Sequence, residues 1–246
     1  MAAIEFSDVT LGYDRHPAVH HLSGKVEAGS LTAVVGPNGA GKSTLFKGIT
    51  GTLKPLAGHI ERNGFGLRDI GYLPQAAEID RSFPITVYDL VAMGLWRQTG
   101  PFGGFGHKQH ATIEAGIAAV GLTGFEQRVI GTLSGGQMQR MLFARLLIQD
   151  AQLIVLDEPF GAIDSKTCND LMQLVQRWHQ EGRTVVAATH DMELVRSNFP
   201  QTLLLAREPV AWGATRNVLT AENLHAARSM CEAFDETAES CAIAAE

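Results

Sequence analysis

Residues 31–50 contain a short apolar run, a glycine-rich loop and a predicted helix, in that order. The run at 31–35, Leu-Thr-Ala-Val-Val, ends at a glycine, which is typical of a buried strand in a parallel sheet. Glycines in the loop allow successive backbone N–H groups to point inward, toward a phosphate. The N-terminus of a helix over residues 43–50 adds partial positive charge at the same place. This order of elements predicts an α/β fold with a phosphate-binding loop.

The loop also carries side chains suited to nucleotide and magnesium. Lys42 can reach the β- and γ-phosphates, the Ser43 hydroxyl can ligate Mg²⁺, and Thr44 adds a hydroxyl for the phosphates. ATP and Mg²⁺ are therefore the predicted cofactors. The alternative is a glycine-rich surface turn, which the flanking strand and helix make the weaker interpretation. The predicted nucleotide-binding residues of the loop are Gly36, Pro37, Asn38, Gly39, Ala40, Gly41, Lys42, Ser43 and Thr44.

A pair of acidic residues ends a second buried strand, predicted over residues 153–157. A carboxylate there is costly unless it has a partner, and a metal-bound water is a suitable partner for Asp157. Side chains alternate along a strand, so Glu158 points elsewhere and is free to orient and deprotonate an attacking water. The alternative is a solvated acidic pair before a turn at Pro159, which becomes the minor interpretation beside the glycine loop.

Residues 134–137, Ser-Gly-Gly-Gln, precede an apolar helix predicted over residues 138–149. Ser134 and Gln137 have the spacing of a capping box. Two glycines at a helix start weaken the helix by about 1 kcal/mol each, which capping does not explain. Bare backbone at Gly135 and Gly136 would let a phosphate approach the amides and the helix dipole closely. Both interpretations are kept, and the phosphate concerned is not expected to be the one in the chain's own loop.

Other segments indicate an α/β core interrupted by helices. The spacing of apolar residues is helical in much of residues 76–150. We also predict strands over 4–12, 22–29 and 184–189, a helix over 164–180, a hairpin over 202–212 and a helix over 220–228. The acidic, alanine-rich residues 233–246 are predicted to form a disordered tail.

The composition restricts the classes of partner. The chain has 246 residues, a formal net charge of −6 and a pI near 5.8, so no basic field indicates nucleic acid. No apolar run approaches the roughly 20 residues that cross a bilayer, and the N-terminus lacks the features of a secretory signal. The 3 cysteines have no Cys-x-x-Cys spacing, which fits reduced thiols. We expect a soluble cytoplasmic domain that binds no nucleic acid.

The motifs together resemble the nucleotide-binding subunit of ATP-binding cassette (ABC) transporters, over almost the whole chain. Residues 36–44 are similar to the Walker A segment of that family, 153–158 to Walker B, and Leu-Ser-Gly-Gly-Gln at 133–137 to the family signature. The resemblance implies an ABC ATPase domain over 1–232. Its α/β P-loop NTPase (RecA-like) core would span 1–75 and 151–232, with an N-terminal antiparallel β subdomain and an inserted α-helical subdomain at about 76–150.

The resemblance also implies a head-to-tail homodimer. Residues 134–137 of one subunit would then contact the nucleotide held by the other, with Ser134 and Gly136 at its γ-phosphate. Asp164 matches the loop that crosses the dimer seam. Gly161 and Ile163 depart from the family's commonest Ser and Leu, which leaves the fine geometry of that loop open. The predicted contacts across the seam are Ser134, Gly135, Gly136, Gln137 and Asp164.

Three more residues acquire roles through the resemblance alone. Tyr13 lies where the family has an aromatic that stacks on adenine, with an ordinary strand aromatic as the alternative. Gln75 matches a glutamine that senses Mg²⁺ and water and touches the membrane partner, and His190 matches a histidine that contacts the γ-phosphate. An exposed loop residue and a structural histidine are the respective alternatives. The predicted catalytic residues are Glu158, His190 and Gln75, and the predicted Mg²⁺ ligands are Ser43, Gln75 and Asp157.

Residues 80–94 are similar to the corresponding region of bacterial importers for zinc, manganese and iron chelates. The resemblance implies an ATPase subunit that powers metal uptake, with zinc slightly favoured over manganese and an iron-siderophore importer as the alternative. An exporter subunit and a soluble ABC ATPase of the iron–sulfur assembly type remain open. The implied partners are an integral membrane permease and, indirectly, a periplasmic or extracellular solute-binding protein. The implied location is peripheral, at the cytoplasmic face of a bacterial inner or plasma membrane.

The histidines outside these motifs are interpreted as surface residues. His20, His21, His107 and His110 could suggest a metal-sensing site, but no cysteine or carboxylate completes a tetrahedral set in the sequence pattern.

Overall fold

The computed structural model describes residues 1–14, 16–100 and 103–232, without the side chains of Cys231 and Glu232. The predicted tail over 233–246 lies outside the described residues. Within them the chain forms two units. The first combines Met1–Leu67 with the residues from Thr184 onward, and the second is Arg68–Arg183.

An antiparallel sheet of three strands forms the N-terminal part of the first unit. Its strands are β1 (Ala2–Tyr13), β2 (His16–Glu27) and β4 (Ala57–Glu61), with β1 in the centre. The strands predicted over 4–12 and 22–29 are confirmed, although β2 begins six residues before the predicted start. Strand β4 was not predicted, because four of its five residues are exposed and it lacks the alternation of a half-buried strand.

A second sheet in the first unit holds the glycine loop. Strand β3 (Leu31–Val35) lies between β7 (Thr184–Ala188) and β8 (Gln201–Ala206), parallel to both, and β9 (Glu208–Ala214) pairs antiparallel with β8. All residues of β3 and β7 are buried, as their continuous apolar runs predict. The helices of this unit are α1 (Lys42–Ile49), α7 (Met192–Asn198), α8 (Thr215–Val218) and α9 (Ala221–Glu232).

The second unit combines a pair of parallel strands, β5 (Ile70–Leu73) and β6 (Leu153–Asp157), with five α-helices in the part that the structure describes. These are α2 (Val87–Ala92), α3 (Trp96–Thr99), α4 (His107–Ala119), α5 (Gly135–Gln149) and α6 (Ser165–Gln180). Helices α2 to α5 all lie within residues 76–150, where the sequence predicts a helical subdomain. The boundaries of that subdomain stay a prediction.

Helix α5 is the central element of the second unit. Phe143 stacks on Trp178 of α6, with ring centroids 5.8 Å apart and planes 4° from parallel. On another face, Arg145 Nη2 donates a hydrogen bond to Tyr72 O, and Gln149 Nε2 donates to Ile70 O at 3.2 Å. Two side chains one helical turn apart therefore hold α5 against the backbone of β5.

The helices of the described residues are all too short or too polar to cross a bilayer.

Candidate active site

The glycine loop of the first unit connects β3 to α1 and encloses the lysine side chain that follows it. Lys42 Nζ donates hydrogen bonds to Gly36 O at 2.9 Å and to Pro37 O at 3.0 Å. The Lys42 side chain is buried, whereas Asn38 and Gly39 at the loop tip are exposed. The loop carbonyls therefore hold the ammonium group inside the curve of the backbone, beside the amide groups expected to face phosphate.

Close packing requires glycine at two positions of the loop, and backbone conformation favours it at two, with Gly41 in both sets. A Cβ atom at Gly36 would lie 2.0 Å from Leu205 O, and one at Gly41 would lie 2.5 Å from Ala18 O. A Cβ atom at Gly39 would meet open space, but that residue has φ 79°, which favours glycine. The glycines thus let the loop lie close against the backbone of Leu205 and Ala18 and turn at its tip, and a loop with that freedom can direct its N–H groups at an ATP phosphate.

The loop is also held from behind. The Arg207 N–H, in the turn between β8 and β9, donates to Ala40 O at 3.1 Å. The carbonyl of Arg207 accepts from the His20 N–H of β2 at 2.8 Å. One residue of the turn therefore connects the glycine loop to the antiparallel sheet through backbone bonds.

His190 belongs to the same unit as the loop and follows the strand beside β3. The Thr189 N–H donates to Val34 O at 3.2 Å, so the chain just before His190 runs alongside the end of β3. His190 is exposed, and Asp191 after it caps α7. Because carboxyl ends of parallel strands meet at one edge of a sheet, His190 leaves the sheet at the edge that carries the glycine loop.

Tyr13 lies at the end of β1, opposite His16 across the β1–β2 turn. It is 48% exposed, which leaves its ring available for stacking on a planar ligand. Exposure of a tyrosine at a strand end does not by itself distinguish an adenine platform from an ordinary strand aromatic. The adenine role of Tyr13 therefore stays a prediction.

In the second unit, the predicted water-activating residues are in contact. Gln75 Nε2 donates to Glu158 Oε2 at 3.1 Å. The contact follows from strand pairing, because Leu73 of β5 is in register with Leu156 of β6. Gln75 and Glu158 follow these paired residues just beyond the ends of the two strands. Glu158 has φ 49° and precedes Pro159, which disfavours the right-handed helical region at residue 158. The structure thus holds the Glu158 carboxylate with one oxygen on Gln75.

The predicted Mg²⁺ ligands are all oxygen donors. Asp157 is 1% exposed at the end of β6, Gln75 follows β5, and Ser43 is in the first turn of α1. A carboxylate, an amide oxygen and a hydroxyl are hard ligands of the kind that Mg²⁺ takes. Ser43 belongs to the first unit and the other two to the second, so their joint role stays a prediction.

The residues predicted to act across the dimer seam come together in the second unit. Ser134 Oγ accepts from the Gln137 N–H at 3.3 Å, and Gln137 Oε1 accepts from the Ser134 N–H at 3.0 Å, which confirms the capping box. A Cβ atom at Gly136 would lie 3.7 Å from Asp164 Oδ2. Asp164 caps α6 by accepting from the Thr167 N–H at 2.9 Å. Hydrogen bonds from Thr167 keep the pKa of Asp164 below its usual value, with the larger effect from the Thr167 amide and the smaller from its hydroxyl.

Sequence reasoning did not single out Thr167 or Arg140, both of which adjoin this cluster. Thr167 donates its hydroxyl to Asp164, and Arg140 on α5 bonds Thr167. A signal for Arg140 was present, since an arginine inside an apolar helix is expected to have buried partners. Thr167 carried no comparable signal.

Two of the histidines outside the motifs have surface partners in the structure. His21 Nδ1 lies 2.8 Å from Asp8 Oδ1, and His110 Nδ1 is hydrogen-bonded to the Tyr88 hydroxyl. Both histidines are exposed. Among the described residues, no group of three or more His, Cys, Asp or Glu side chains is arranged to hold a metal ion.

Comparison with known proteins gives consistent matches along the chain. A family model described as ABC transporter matches residues 19–161. The chain is 38% identical over 213 residues to a manganese transport system ATP-binding protein of Synechocystis sp., covering 84% of this chain and 82% of the relative. It is 36% identical over 224 residues to a zinc transport system ATP-binding protein of Treponema pallidum, covering 89% and 84%.

The fold also matches a solved structure closely. The chain superposes on an inward-facing ABC transporter described as of a metal-chelate type, with a TM-score of 0.82 and 31% identity. The match covers 93% of this chain and 90% of that chain. The predicted fold class, a P-loop NTPase core of mixed α/β structure, is thereby confirmed. The chain therefore belongs to the ABC transporter family, and it is one of the family's ATP-hydrolysing subunits.

Proposed function

We propose that the chain is the ATPase subunit of an importer that takes up a transition metal, manganese or zinc, through a membrane permease. One observation carries the hydrolytic part, namely the hydrogen bond between Gln75 and Glu158 at the ends of paired strands. The similarity to subunits named for manganese and zinc transport supports the metal. Zinc was slightly favoured from residues 80–94, but relatives of both names match to similar extents, so the proposal includes both metals.

Nucleotide binding is assigned to the first unit. The backbone N–H groups of residues 36–44 and the N-terminus of α1 would surround the β- and γ-phosphates. Lys42, already turned into the loop, would add a positive charge there, and Thr44 a hydroxyl. Tyr13 would stack on the adenine ring. Bound Mg²⁺ supplies charge neutralisation at the phosphates, and Ser43, Asp157 and Gln75 are the residues that would hold it.

Water activation is assigned to Glu158. Its carboxylate would accept a proton from the attacking water, whose oxygen forms the new bond to the γ-phosphorus as the bond to the ADP oxygen breaks. Gln75 would keep the carboxylate in place, because it holds one of the two oxygens and leaves the other for water. His190 would contact the γ-phosphate from the edge of the sheet that also carries the glycine loop.

Completion of each site is assigned to a second copy of the chain. Ser134, Gly136 and Asp164 would approach the γ-phosphate bound by the partner, in a head-to-tail homodimer. A seam of this kind makes closure depend on ATP and opening on hydrolysis. Closure would be transmitted near residues 75–93 to an integral membrane permease at the cytoplasmic face, which an extracytoplasmic solute-binding protein would supply with metal.

The proposal is tested by uptake of radioactive metal in cells of the source organism that lack this chain. Restoring the parental chain should restore ATP-dependent uptake of manganese or zinc. Restoring a Glu158→Gln variant should not, since loss of a general base lowers turnover by about 10²–10⁴-fold. The purified variant should still bind ATP and should accumulate as an ATP-bound dimer.

Three results would contradict parts of the proposal. Hydrolysis by Glu158→Gln at the parental rate would remove the base assignment. Uptake of an iron chelate, with no change for manganese or zinc, would favour the metal-chelate alternative that the matched structure suggests. A soluble ATPase would be favoured if no permease copurified with the chain in mild detergent and if cells lacking the chain took up metal as well as cells that have it.

A further inference from the structure

The two segments predicted to cross the dimer seam are packed against each other within one chain. A Cβ atom at Gly136 would lie 3.6 Å from Thr167 Oγ1 and 3.7 Å from Asp164 Oδ2. One at Gly135 would lie 3.3 Å from Ala162 O, in the loop before Asp164. The signature backbone and the Asp164 loop therefore lie side by side and form a single surface.

Thr167 holds Asp164 in that surface with two bonds. Its N–H donates to Asp164 Oδ1 at 2.9 Å, and its hydroxyl donates to Asp164 Oδ2 at 2.7 Å. Thr167 is buried, at 5% exposure, although it is polar and lies in the first turn of α6. The amide bond is an ordinary helix cap, whereas the hydroxyl bond occupies the second carboxylate oxygen and fixes the rotation of the group.

Arg140 reinforces that hydroxyl bond. Its Nη2 donates to Thr167 Oγ1 at 3.2 Å. A guanidinium group only donates, so the Thr167 oxygen must accept from Arg140 and give its single proton to Asp164. The Asp164 carboxylate thus accepts one hydrogen bond on each oxygen and stays negatively charged at the surface.

Arg140 is itself held at three places. The same Nη2 donates to Asp170 Oδ2 at 2.7 Å, and Nη1 donates to Val120 O at 3.1 Å, at the C-terminus of α4. The guanidinium of α5 thus ties together the end of α4 and the first turns of α6. A planar fork of donors can do this, and the compact ammonium of lysine cannot.

We propose that Arg140, acting through Thr167, is a positioning residue that sets Asp164 and the Gly135–Gly136 backbone as one preformed surface for the partner subunit's nucleotide. This inference rests on the proposed function, because it assumes that the surface completes a nucleotide site in a second copy. It adds a requirement that the proposed function does not contain, namely that the Thr167 hydroxyl is needed for closure.

The test uses the full chain with Glu158→Gln, in which the ATP-bound dimer accumulates. Thr167→Val keeps the shape of the side chain and removes the hydroxyl, and Thr167→Ser keeps the hydroxyl. The dimer dissociation constant with saturating ATP is measured by analytical ultracentrifugation, and the affinity of the monomer for a fluorescent ATP analogue is measured separately. Thr167→Val should weaken the dimer about tenfold or more, because a partly buried hydrogen bond to a charged group is lost.

Two further readouts separate positioning from loss of structure. Affinity for the ATP analogue should be unchanged, since the glycine loop belongs to the other unit, and Thr167→Ser should restore parental dimerisation. Arg140→Lys should weaken the dimer as Thr167→Val does, and it serves as the test if the valine variant does not fold. Arg177→Gln is the matched control, because it removes an exposed pair with Glu181 at the far end of α6.

The proposal is overturned if the folded valine variant dimerises like its parent, or if serine does not restore a dimer that valine weakened. A folded Arg140→Lys variant with parental dimerisation overturns it equally. A different result addresses the proposed function itself. If the Glu158→Gln parent does not dimerise with ATP, the composite nucleotide site is wrong, whatever the substitutions at Thr167 show.

Discussion

The glycines of the phosphate-binding loop are needed for different reasons. Gly39 and Gly41 both have positive φ, at 79° and 91°, so both disfavour a larger residue on backbone grounds. Gly41 is also packed against Ala18 O, 2.5 Å from where a Cβ atom would lie, whereas Gly39 faces open space. Alanine at either position would carry the cost of a left-handed backbone, and alanine at Gly41 would also carry a packing cost. Comparing the two substitutions therefore separates these costs.

We expect Gly41→Ala to destabilise the chain more than Gly39→Ala, in the absence of nucleotide. Gly39→Ala should cost about 1–2 kcal/mol, the strain of a left-handed conformation for alanine. Gly41→Ala should cost about 1–3 kcal/mol more, because the methyl group must displace the backbone of β2. Thermal unfolding of the two variants beside the parent measures the difference. Equal unfolding midpoints for the two variants would show that the close contact between Gly41 and the backbone of β2 adds no packing cost.

Helix α5 combines a structural and a predicted functional role in its first turn. The two hydrogen bonds between Ser134 and Gln137 start the helix, as the Ser-x-x-Gln spacing predicts. The cap does not require glycine at positions 135 and 136, and the predicted phosphate contact accounts for them. These roles can be separated, because aspartate and asparagine cap helices as well as serine does.

Replacement of Ser134 by three different residues should separate stability from dimerisation. Ser134→Ala should lower the free energy of unfolding by about 1 kcal/mol, through loss of the cap. Ser134→Asn and Ser134→Asp should retain the cap and most of the stability. In the Glu158→Gln chain, Ser134→Asp should weaken the ATP-bound dimer about tenfold or more beyond Ser134→Asn, because its charge repels the partner's γ-phosphate. Chemical denaturation and sedimentation measure the two quantities.

The asparagine variant is the control for this series. It has the cap of the aspartate variant without the charge, so the two should differ in dimerisation and agree in stability. If they dimerise equally well with ATP, residue 134 does not face phosphate across a seam, and the capping box would be its whole role.

For the molecule as a whole, the proposed arrangement divides each hydrolytic site between two copies. Glu158 would act on the nucleotide bound by its own chain, and Ser134 on the nucleotide bound by its partner. A variant with a defect in one of these residues can then complement a variant with a defect in the other. A monomeric site would not allow this, because each variant would carry its own defect to every site.

We predict that a mixture of Glu158→Gln and Ser134→Asp chains, combined before ATP is added, hydrolyses ATP faster than either variant alone. At equal amounts random pairing makes half of the dimers mixed, each with one intact composite site, so up to about a quarter of parental activity should return. Phosphate release measured over a series of mixing ratios tests this. Activity no greater than the sum of the separate variants at every ratio would contradict the head-to-tail arrangement.

Much of the fold could be predicted because its signals are local. Buried strands β3, β6 and β7 are continuous apolar runs, and α5 and α6 begin directly after their capping residues, Ser134 and Asp164. Strand β4 was missed because an exposed strand with a glycine has no apolar pattern. The start of β2 was predicted too late. Its first residues pair with β1 but lack a clear alternation of apolar and polar side chains.

The sequence by itself determined the local chemistry: a glycine loop before a helix, an acidic pair after an apolar run, and a capping box with two glycines. These depend on residues within a few positions of one another, so spacing is enough to find them. The tertiary structure decided which distant groups complete that chemistry. Gln75 meets Glu158 across 83 positions, Gly36 lies against Leu205 O, and Arg140 reaches Thr167. Such contacts arise from strand register and helix packing, which periodicity along the chain does not encode.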